Sequence, residues 1–299
     1  MDKNIKAYCE DIDYCENTCI SLGAKLIYPS ITIDNNIKRK TYRLPHTIIN
    51  LDEIKKVGSF IEIIEETENI KEFNHLIEIF NLSPEKIIPW SYEEIIKTYE
   101  NARLYITELA RNKKPGVLFL LDGASCSGKT TVLHDLGQSG IIKILPRYCT
   151  REPRKNINTE SEYIFVSREK FKEIASKGGF IEYRNYLFGM SYGISWEEIF
   201  NFLIKGINLL GIINLGNVLH VKKIFPEAVL ILIDAPLSMI EKRLIQRGFN
   251  KKEQIEERLQ NAKNITFYKK YYNYIINNDD NMLKQAEEQI KKIIIEKIK

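Results

Sequence analysis

One stretch limits what this chain can fold into. Gly123-Ala124-Ser125-Cys126-Ser127-Gly128-Lys129-Thr130-Thr131 fits the pattern G-x-x-x-x-G-K-[ST]. The pattern carries meaning only between a strand and a helix. Both are legible here. Val117-Leu118-Phe119-Leu120-Leu121 is an apolar run of buried-strand length, and Val132, Leu133 and Leu136 recur at helical spacing. Such a loop turns backbone N–H groups towards a phosphate chain at the start of a helix. All nine residues are therefore expected to contact a nucleotide. Lys129 is expected to reach the β- and γ-phosphates, and the Thr130 hydroxyl to hold a metal, so ATP and Mg²⁺ are the expected ligands.

Length and charge set the remaining bounds. The 299 residues suggest two domains, and 44% hydrophobic content is enough for real cores. The net charge of +4 comes from 44 basic and 40 acidic residues, a balance that gives no reason to expect nucleic acid. Five cysteines without orderly spacing suggest a reducing compartment. Cys9, Cys15 and Cys19 lie close together without a nearby His; thiols on one helix are expected there, with a zinc site as the alternative. No apolar run is long enough to span a membrane, and the polar start Met1-Asp2-Lys3-Asn4 does not read as a signal peptide. A cytoplasmic protein with no membrane partner is expected; the oligomeric state is left open.

Taken in order, helix is expected over Asp11–Leu22 and strand over Lys25–Ile33, Thr41–Leu44, Thr47–Leu51 and Ser59–Glu65. Helices follow over Glu72–Phe80 and Ser91–Leu109. Pro115-Gly116 breaks the last helix and places the domain boundary at 114/115. Beyond it, apolar runs such as Leu209–Leu215 and Val229–Ile233 alternate with helical stretches, which predicts a parallel sheet. Arg147–Arg154 reads as an arginine-bearing loop.

The segment Leu51–Ile63 and the following helix with Ser91-Tyr92 resemble part of the CYTH family of triphosphate-tunnel barrels. That resemblance implies a partial, α+β version of such a domain over residues 1–114. The family's opening E-x-E-x-K is absent, since residues 2–8 read Asp-Lys-Asn-Ile-Lys-Ala-Tyr. Its paired glutamates appear as Glu62 and Ile64. The expected role is packing or binding rather than triphosphate hydrolysis. Lys38, Arg39, Lys40 and Arg43 are expected to form an exposed basic face, with a phosphate site as the alternative.

Residues 116–299 resemble the guanylate kinase family. Thr150-Arg151-Glu152-Pro153-Arg154 is similar to that family's T-R-x-P-R, and Glu162–Ser167 to its D-Y-x-F-V-S. Phe180–Tyr183, Tyr192-Gly193, Arg243-Leu244 with Arg247-Gly248, Arg258-Leu259 and Asn278-Asp279-Asp280 follow in the family's order. The resemblance implies an α/β P-loop kinase, its parallel sheet flanked by helices, preceded by the smaller α+β domain. It implies ATP-dependent transfer of a γ-phosphate to a small phosphorylated acceptor, GMP or a related nucleoside monophosphate. Arg151, Arg154 and Tyr163 would hold the acceptor's phosphate, Tyr192 would add a hydroxyl, and Glu182 would contact the acceptor. Arg243, Arg247 and Arg258, with Lys129 and Arg151, would stabilise charge on the transferred group, as guanidinium forks suit phosphate.

The departures are specific. Cys126 stands where the family has glycine. Arg147 and Ile194 replace hydroxyl residues that contact guanine, and Ile212-Ile213-Asn214 aligns with the family's D-x-D. Arg147–Arg151, Tyr192–Ile194 and Asn214–Gly216 look similar to ribose 1,5-bisphosphate kinase, a relative acting on a sugar phosphate. Arg147 is then a substrate-binding candidate for a second anionic group. A non-catalytic guanylate-kinase-like binding module is the other alternative; those modules lose the loop lysine, and Lys129 is intact.

Overall fold

The structure, a computed structural model, describes residues 4–33, 36–67, 69–80, 82, 86–153, 162–185, 190–214, 216–248 and 252–299. Two compact units divide the chain, Met1–Tyr92 and Glu93–Lys299.

The first unit is a five-stranded antiparallel sheet. Its strands are β1 (Asn4–Cys9), β2 (Lys25–Ile33), β3 (Ile37–Arg43), β4 (Thr47–Ile54) and β5 (Gly58–Glu65), in the order β1-β5-β4-β3-β2. Two helices, α1 (Ile12–Ser21) and α2 (Ile70–Ile79), belong to the same unit. Alternation along the strands separates two faces. Ala7, Ile49, Leu51, Ile61 and Ile63 pack with Cys15, Cys19, Phe73 and Leu76 of the helices into one core. Of the three thiols expected on one helix, Cys15 and Cys19 are core residues of α1, whereas Cys9 ends strand β1, its sulfur 3.2 Å from that of Cys15; all five cysteines are free. Among the described residues no group of three His, Cys, Asp or Glu side chains could hold a metal.

Two elements of this unit differ from expectation. The N-terminal stretch that lacks E-x-E-x-K forms β1, which pairs with β5 from Asn4↔Ile64 to Cys9↔Ser59. The basic cluster of β3 is largely paired, with Lys38 left as an exposed cation. Arg39, Lys40 and Arg43 pair with Asp52, Glu16 and Glu66 respectively.

The second unit begins within α3 (Tyr92–Arg111), whose residues from Glu93 onward pack inside it. Tyr99 lies edge-on to His220 at 5.9 Å, Tyr105 stacks on Trp196 at 5.9 Å, and Asn101 Nδ2 donates to the carbonyls of Lys177 and Gly178. The helix on the first side of the expected 114/115 boundary thus shares contacts with the unit that follows it.

The sheet of this unit is wholly parallel. It runs β14-β13-β6-β12-β7, with β6 (Leu118–Asp122), β7 (Lys143–Ile144), β12 (Leu209–Ile212), β13 (Val229–Asp234) and β14 (Tyr274–Asn277). Buried on both faces, the central strands β6, β12 and β13 read as continuous apolar runs, whereas the edge strands β7 and β14 are part-exposed. Ile231 and Ile233 face a core shared with α4 (Lys129–Gln138) and α11 (Leu283–Lys297), while Leu232 faces α8 (Leu237–Gln246), α9 (Lys252–Lys263) and α10 (Ile265–Tyr268).

A second sheet has the order β10-β11-β8-β9, from β8 (Arg147–Cys149), β9 (Tyr163–Phe165), β10 (Phe180–Asn185) and β11 (Ser191–Ser195). The expected loop at Arg147–Arg154 therefore opens as a strand. Backbone pairing on both sides decides this: Arg147 registers with Tyr163, and Cys149 with both Phe165 and Tyr192. Among the described residues, no helix is long and apolar enough to cross a membrane.

Candidate active site

The loop Gly123–Gly128 joins central strand β6 to α4, so the helix N-terminus opens at the strand's C-terminal end. Local backbone needs explain the glycines. Gly123 has φ 147°, and a Cβ there would collide with the Ile233 carbonyl and lie 2.7 Å from Ser127 Oγ. Gly128 has φ 103°, and its Cβ would collide with Leu283 and Asn278. Cys126 also lies in the left-handed region, at φ 62°. Glycine would sit there at lower conformational cost, which accounts for glycine being the family's residue at that position.

Lys129 Nζ folds back onto its own loop, donating to the carbonyls of Gly123 and Ala124 at 2.7 Å each. Burial pulls its pKa down to about 8, against the nearby Asp122. Asp122 is fully buried; its carboxylate accepts from Gly123 N at 2.6 Å and from the Tyr272 hydroxyl at 2.5 Å. Burial pushes this carboxyl up to about 6. Neither Asp122 nor Tyr272 was identified from the sequence. An acid closing the apolar run before the motif was the available signal.

Three arginines stand at the loop. Arg243 donates to the carbonyls of Cys126 (3.3 Å), Asn278 (3.4 Å) and Asp279 (3.1 Å). Arg258 Nη1 donates to Ser125 Oγ at 2.8 Å. Arg247 is exposed and, with Arg243, Lys129, Thr130 and Thr131, lines a cavity of about 520 Å³ at the loop. Two buried polar atoms at this loop, Ser127 Oγ and Asn278 Oδ1, have no hydrogen-bond partner among the described residues.

Across the second sheet lie the acceptor candidates. Arg151 sits over the Tyr163 ring at 4.8 Å and over Phe165 at 5.2 Å, and Arg147 over Tyr192 at 5.1 Å. Tyr163 and Tyr192 meet edge-on at 6.2 Å. Glu182 is buried on β10, and its carboxylate accepts from Asn217 Nδ2 at 2.6 Å and Asn214 Nδ2 at 2.8 Å. Asn214 Oδ1 in turn accepts from Arg147 Nη2 at 2.6 Å. Burial raises the Glu182 pKa, opposed first by Arg147 and then by the amides. Asn217 was not singled out in the sequence. Ile194 and Ile212 are core residues, so neither presents an atom to an acceptor. Arg154 lies outside the described residues.

A parallel sheet with a phosphate loop at its central strand, and arginines around that loop, defines a P-loop kinase. Comparison with known proteins narrows this. The Guanylate kinase family model matches residues 116–297. The guanylate kinase of Clostridioides difficile strain 630 is 32% identical over 183 residues, covering 60% of this chain and 88% of that one. That of Streptococcus thermophilus strain CNRZ 1066 is 33% identical over 182 residues, covering 60% and 86%. The crystal structure of guanylate kinase from Anaplasma phagocytophilum aligns with 25% identity over 62% of this chain and 87% of that one, with a TM-score of 0.49. The chain belongs to the guanylate kinase family and is an ATP-dependent phosphotransferase acting on a small phosphorylated acceptor.

Proposed function

We propose that this chain transfers the γ-phosphoryl group of ATP to GMP, with Mg²⁺ held at Thr130. One observation carries the reading. Arg147, Arg151, Tyr163, Tyr192 and buried Glu182 gather on one small sheet of the unit that holds the phosphate loop. The residues at the loop fit nucleotide and metal. Among the described residues, Lys129 Nζ is satisfied by two carbonyls of a loop that phosphate would line, and Ser127 Oγ and Asn278 Oδ1 are left over. Mg²⁺, which the Thr130 hydroxyl would hold, would neutralise charge on the phosphates.

The chain's own residues do the rest. Lys129 Nζ exchanges its carbonyls for phosphate oxygens. Arg151 grips the acceptor's phosphate, one oxygen of which attacks the γ-phosphorus as the bond to the β-phosphate oxygen breaks. Arg243, Arg247 and Arg258 offset the charge that develops. Such transfer asks chiefly for positioning and charge stabilisation. Glu182 would accept a base N–H by giving up one of its amide contacts with Asn214 or Asn217.

A second reading has its own observation. Arg147 Nε is buried with no hydrogen-bond partner among the described residues, and Nη2 takes an amide oxygen rather than a carboxylate. An acceptor carrying a second anionic group, such as ribose 1,5-bisphosphate, would satisfy it. The deciding measurement is kcat/KM for GMP and for ribose 1,5-bisphosphate in wild type and Arg147→Ser. Efficient GMP turnover, unchanged or improved by the substitution, supports the nucleotide reading. A preference for the sugar phosphate that Arg147→Ser abolishes supports the second. Turnover of neither sinks both.

A further inference from the structure

His134 and Glu162 form a contact that neither the loop nor the acceptor cluster accounts for. His134 lies on α4, one helical turn past Thr130 and so on the same face, and its ring lines the cavity at the phosphate loop. Its Nδ1 is 3.3 Å from Glu162 Oε1. Glu162 is the residue immediately before Tyr163 at the start of β9, and Tyr163 lies under Arg151.

The Glu162 side chain is 5% exposed and that of His134 is 29% exposed. A buried carboxylate is costly without partners, and among the described residues the imidazole is the hydrogen-bonding partner of this one. Burial raises the Glu162 pKa and His134 opposes the rise. A hydrogen bond that served stability alone would have no need to stand here. This one joins the helix that begins at the donor's phosphates to the strand that carries the acceptor's phosphate ligand.

We propose that His134 and Glu162 are positioning residues, which fasten β9 to α4 so that the acceptor phosphate is held in line with the γ-phosphate. The pair acts on the distance between two bound substrates rather than on either alone. Positioning of this kind is sensitive, since a displacement near 1 Å costs a factor on the order of a hundred in rate. The proposal goes beyond the choice of acceptor and applies to whichever phosphorylated acceptor is used.

The test compares wild type with His134→Ala, Glu162→Ala, the double variant and His134→Gln, with folding checked by circular dichroism. Steady-state kinetics are run with the better of GMP and ribose 1,5-bisphosphate. Binding of a non-hydrolysable ATP analogue is measured alone, and acceptor affinity is measured with and without that analogue. The expected result is a fall of about tenfold to a hundredfold in kcat and a raised acceptor KM. Analogue affinity should stay within about twofold of wild type, since the loop itself is intact. The double variant should be no worse than the worse single one, because the two residues act as a unit. His134→Gln, which keeps a donor, should recover part of the loss. The analogue should tighten acceptor binding in wild type and not in the alanine variants.

Wild-type kcat and acceptor KM in a folded His134→Ala protein would overturn the proposal. So would losses that multiply in the double variant, or a drop explained wholly by weaker analogue binding. If wild type turns over neither acceptor, the kinase reading fails, and the positioning role is decided by the analogue's effect on GMP affinity. An effect absent in wild type or unchanged by the variants overturns it.

Discussion

Two clusters of cations, one in each unit, are held in opposite ways. In the first, Arg39 donates to Asp52 through Nε (2.6 Å) and Nη2 (2.8 Å), and Nη2 also reaches Glu62 at 3.0 Å. Glu62 further accepts from Asn50 and Asn4, Lys6 stands 3.8 Å away, and the Tyr92 hydroxyl closes on Asp52 at 2.6 Å. In the second unit, Lys129 and Arg243 are held by backbone carbonyls, and neither makes a salt bridge among the described residues. A cation bound to a carboxylate has already spent its attraction, whereas one bound to a carbonyl gains by exchanging it for phosphate. Similar residue types therefore give an internal strut in one place and a substrate grip in the other.

The largest effect should come from breaking the grip. Lys129→Ala removes a full charge from the β/γ-phosphate position, and kcat/KM should fall by a factor on the order of a thousand or more. Tryptophan emission offers a check on folding, because the two tryptophans divide between the units: Trp90 in the first and Trp196 in the second. Near-normal transfer by a folded Lys129→Ala protein would erase the contrast.

Breaking the strut comes next. Arg39→Ala leaves Asp52, which is 0% exposed, without its guanidinium. Removing one partner of a buried pair costs about 3 kcal/mol. With Trp196→Phe as background, Trp90 alone reports urea unfolding of the first unit. Its midpoint should drop while turnover is retained. A midpoint like the parent's would show that the network is not structural. The same saturation argues against triphosphate hydrolysis by the first unit. In a Lys129→Ala background, Mg²⁺ or Mn²⁺ should release no phosphate from thiamine triphosphate or tripolyphosphate, and release lost on Glu62→Gln would contradict this.

This contrast also marks what the sequence could reveal. The phosphate loop is local: its glycines, lysine and threonine are consecutive, and the flanking elements follow from hydrophobic period alone. The arginines around the loop, Arg243, Arg247 and Arg258, were legible through family spacing. Pairings set by sheet register were not. Arg39 meets Asp52 because β3 and β4 are in register at those residues, and Glu62 faces Asn50 through β4 and β5. Nothing within β3 distinguishes that strut from a basic surface. Asn214 and Asn217 meet Glu182 across more than 30 positions. Asp122 was visible as an acid ending an apolar run, but its partner Tyr272 lies 150 residues away. Long-range polar partners carry no periodic signal, and they are the part of both units that the structure adds.

The smallest predicted effect sets the units apart by pH. Asp122, beneath the loop, is raised from an ordinary 3.8 to about 6, chiefly by burial, so the folded state holds its proton more tightly than the unfolded chain. Stability from this group is full below pH 3.8 and is lost as pH rises through 6. Glu62 has the opposite sign. Burial alone would raise it, but hydrogen bonds from Asn50 and Asn4, with Lys6 and Arg39 nearby, hold it below 4.5. Its contribution is full above pH 4.5 and is lost only as pH falls below that value. Between pH 7 and pH 5 the second unit should therefore gain about 1 kcal/mol from Asp122, and the first should gain or lose nothing through Glu62. The quantity to measure is the urea midpoint of Trp196 emission in a Trp90→Phe background, as the difference between the parent and Asp122→Asn at the two pH values. Because other groups titrate equally in both proteins, only the Asp122 share survives the subtraction. A difference that does not change between pH 7 and pH 5 would mean that Asp122 keeps one protonation state across that range and that burial does not bring its titration there.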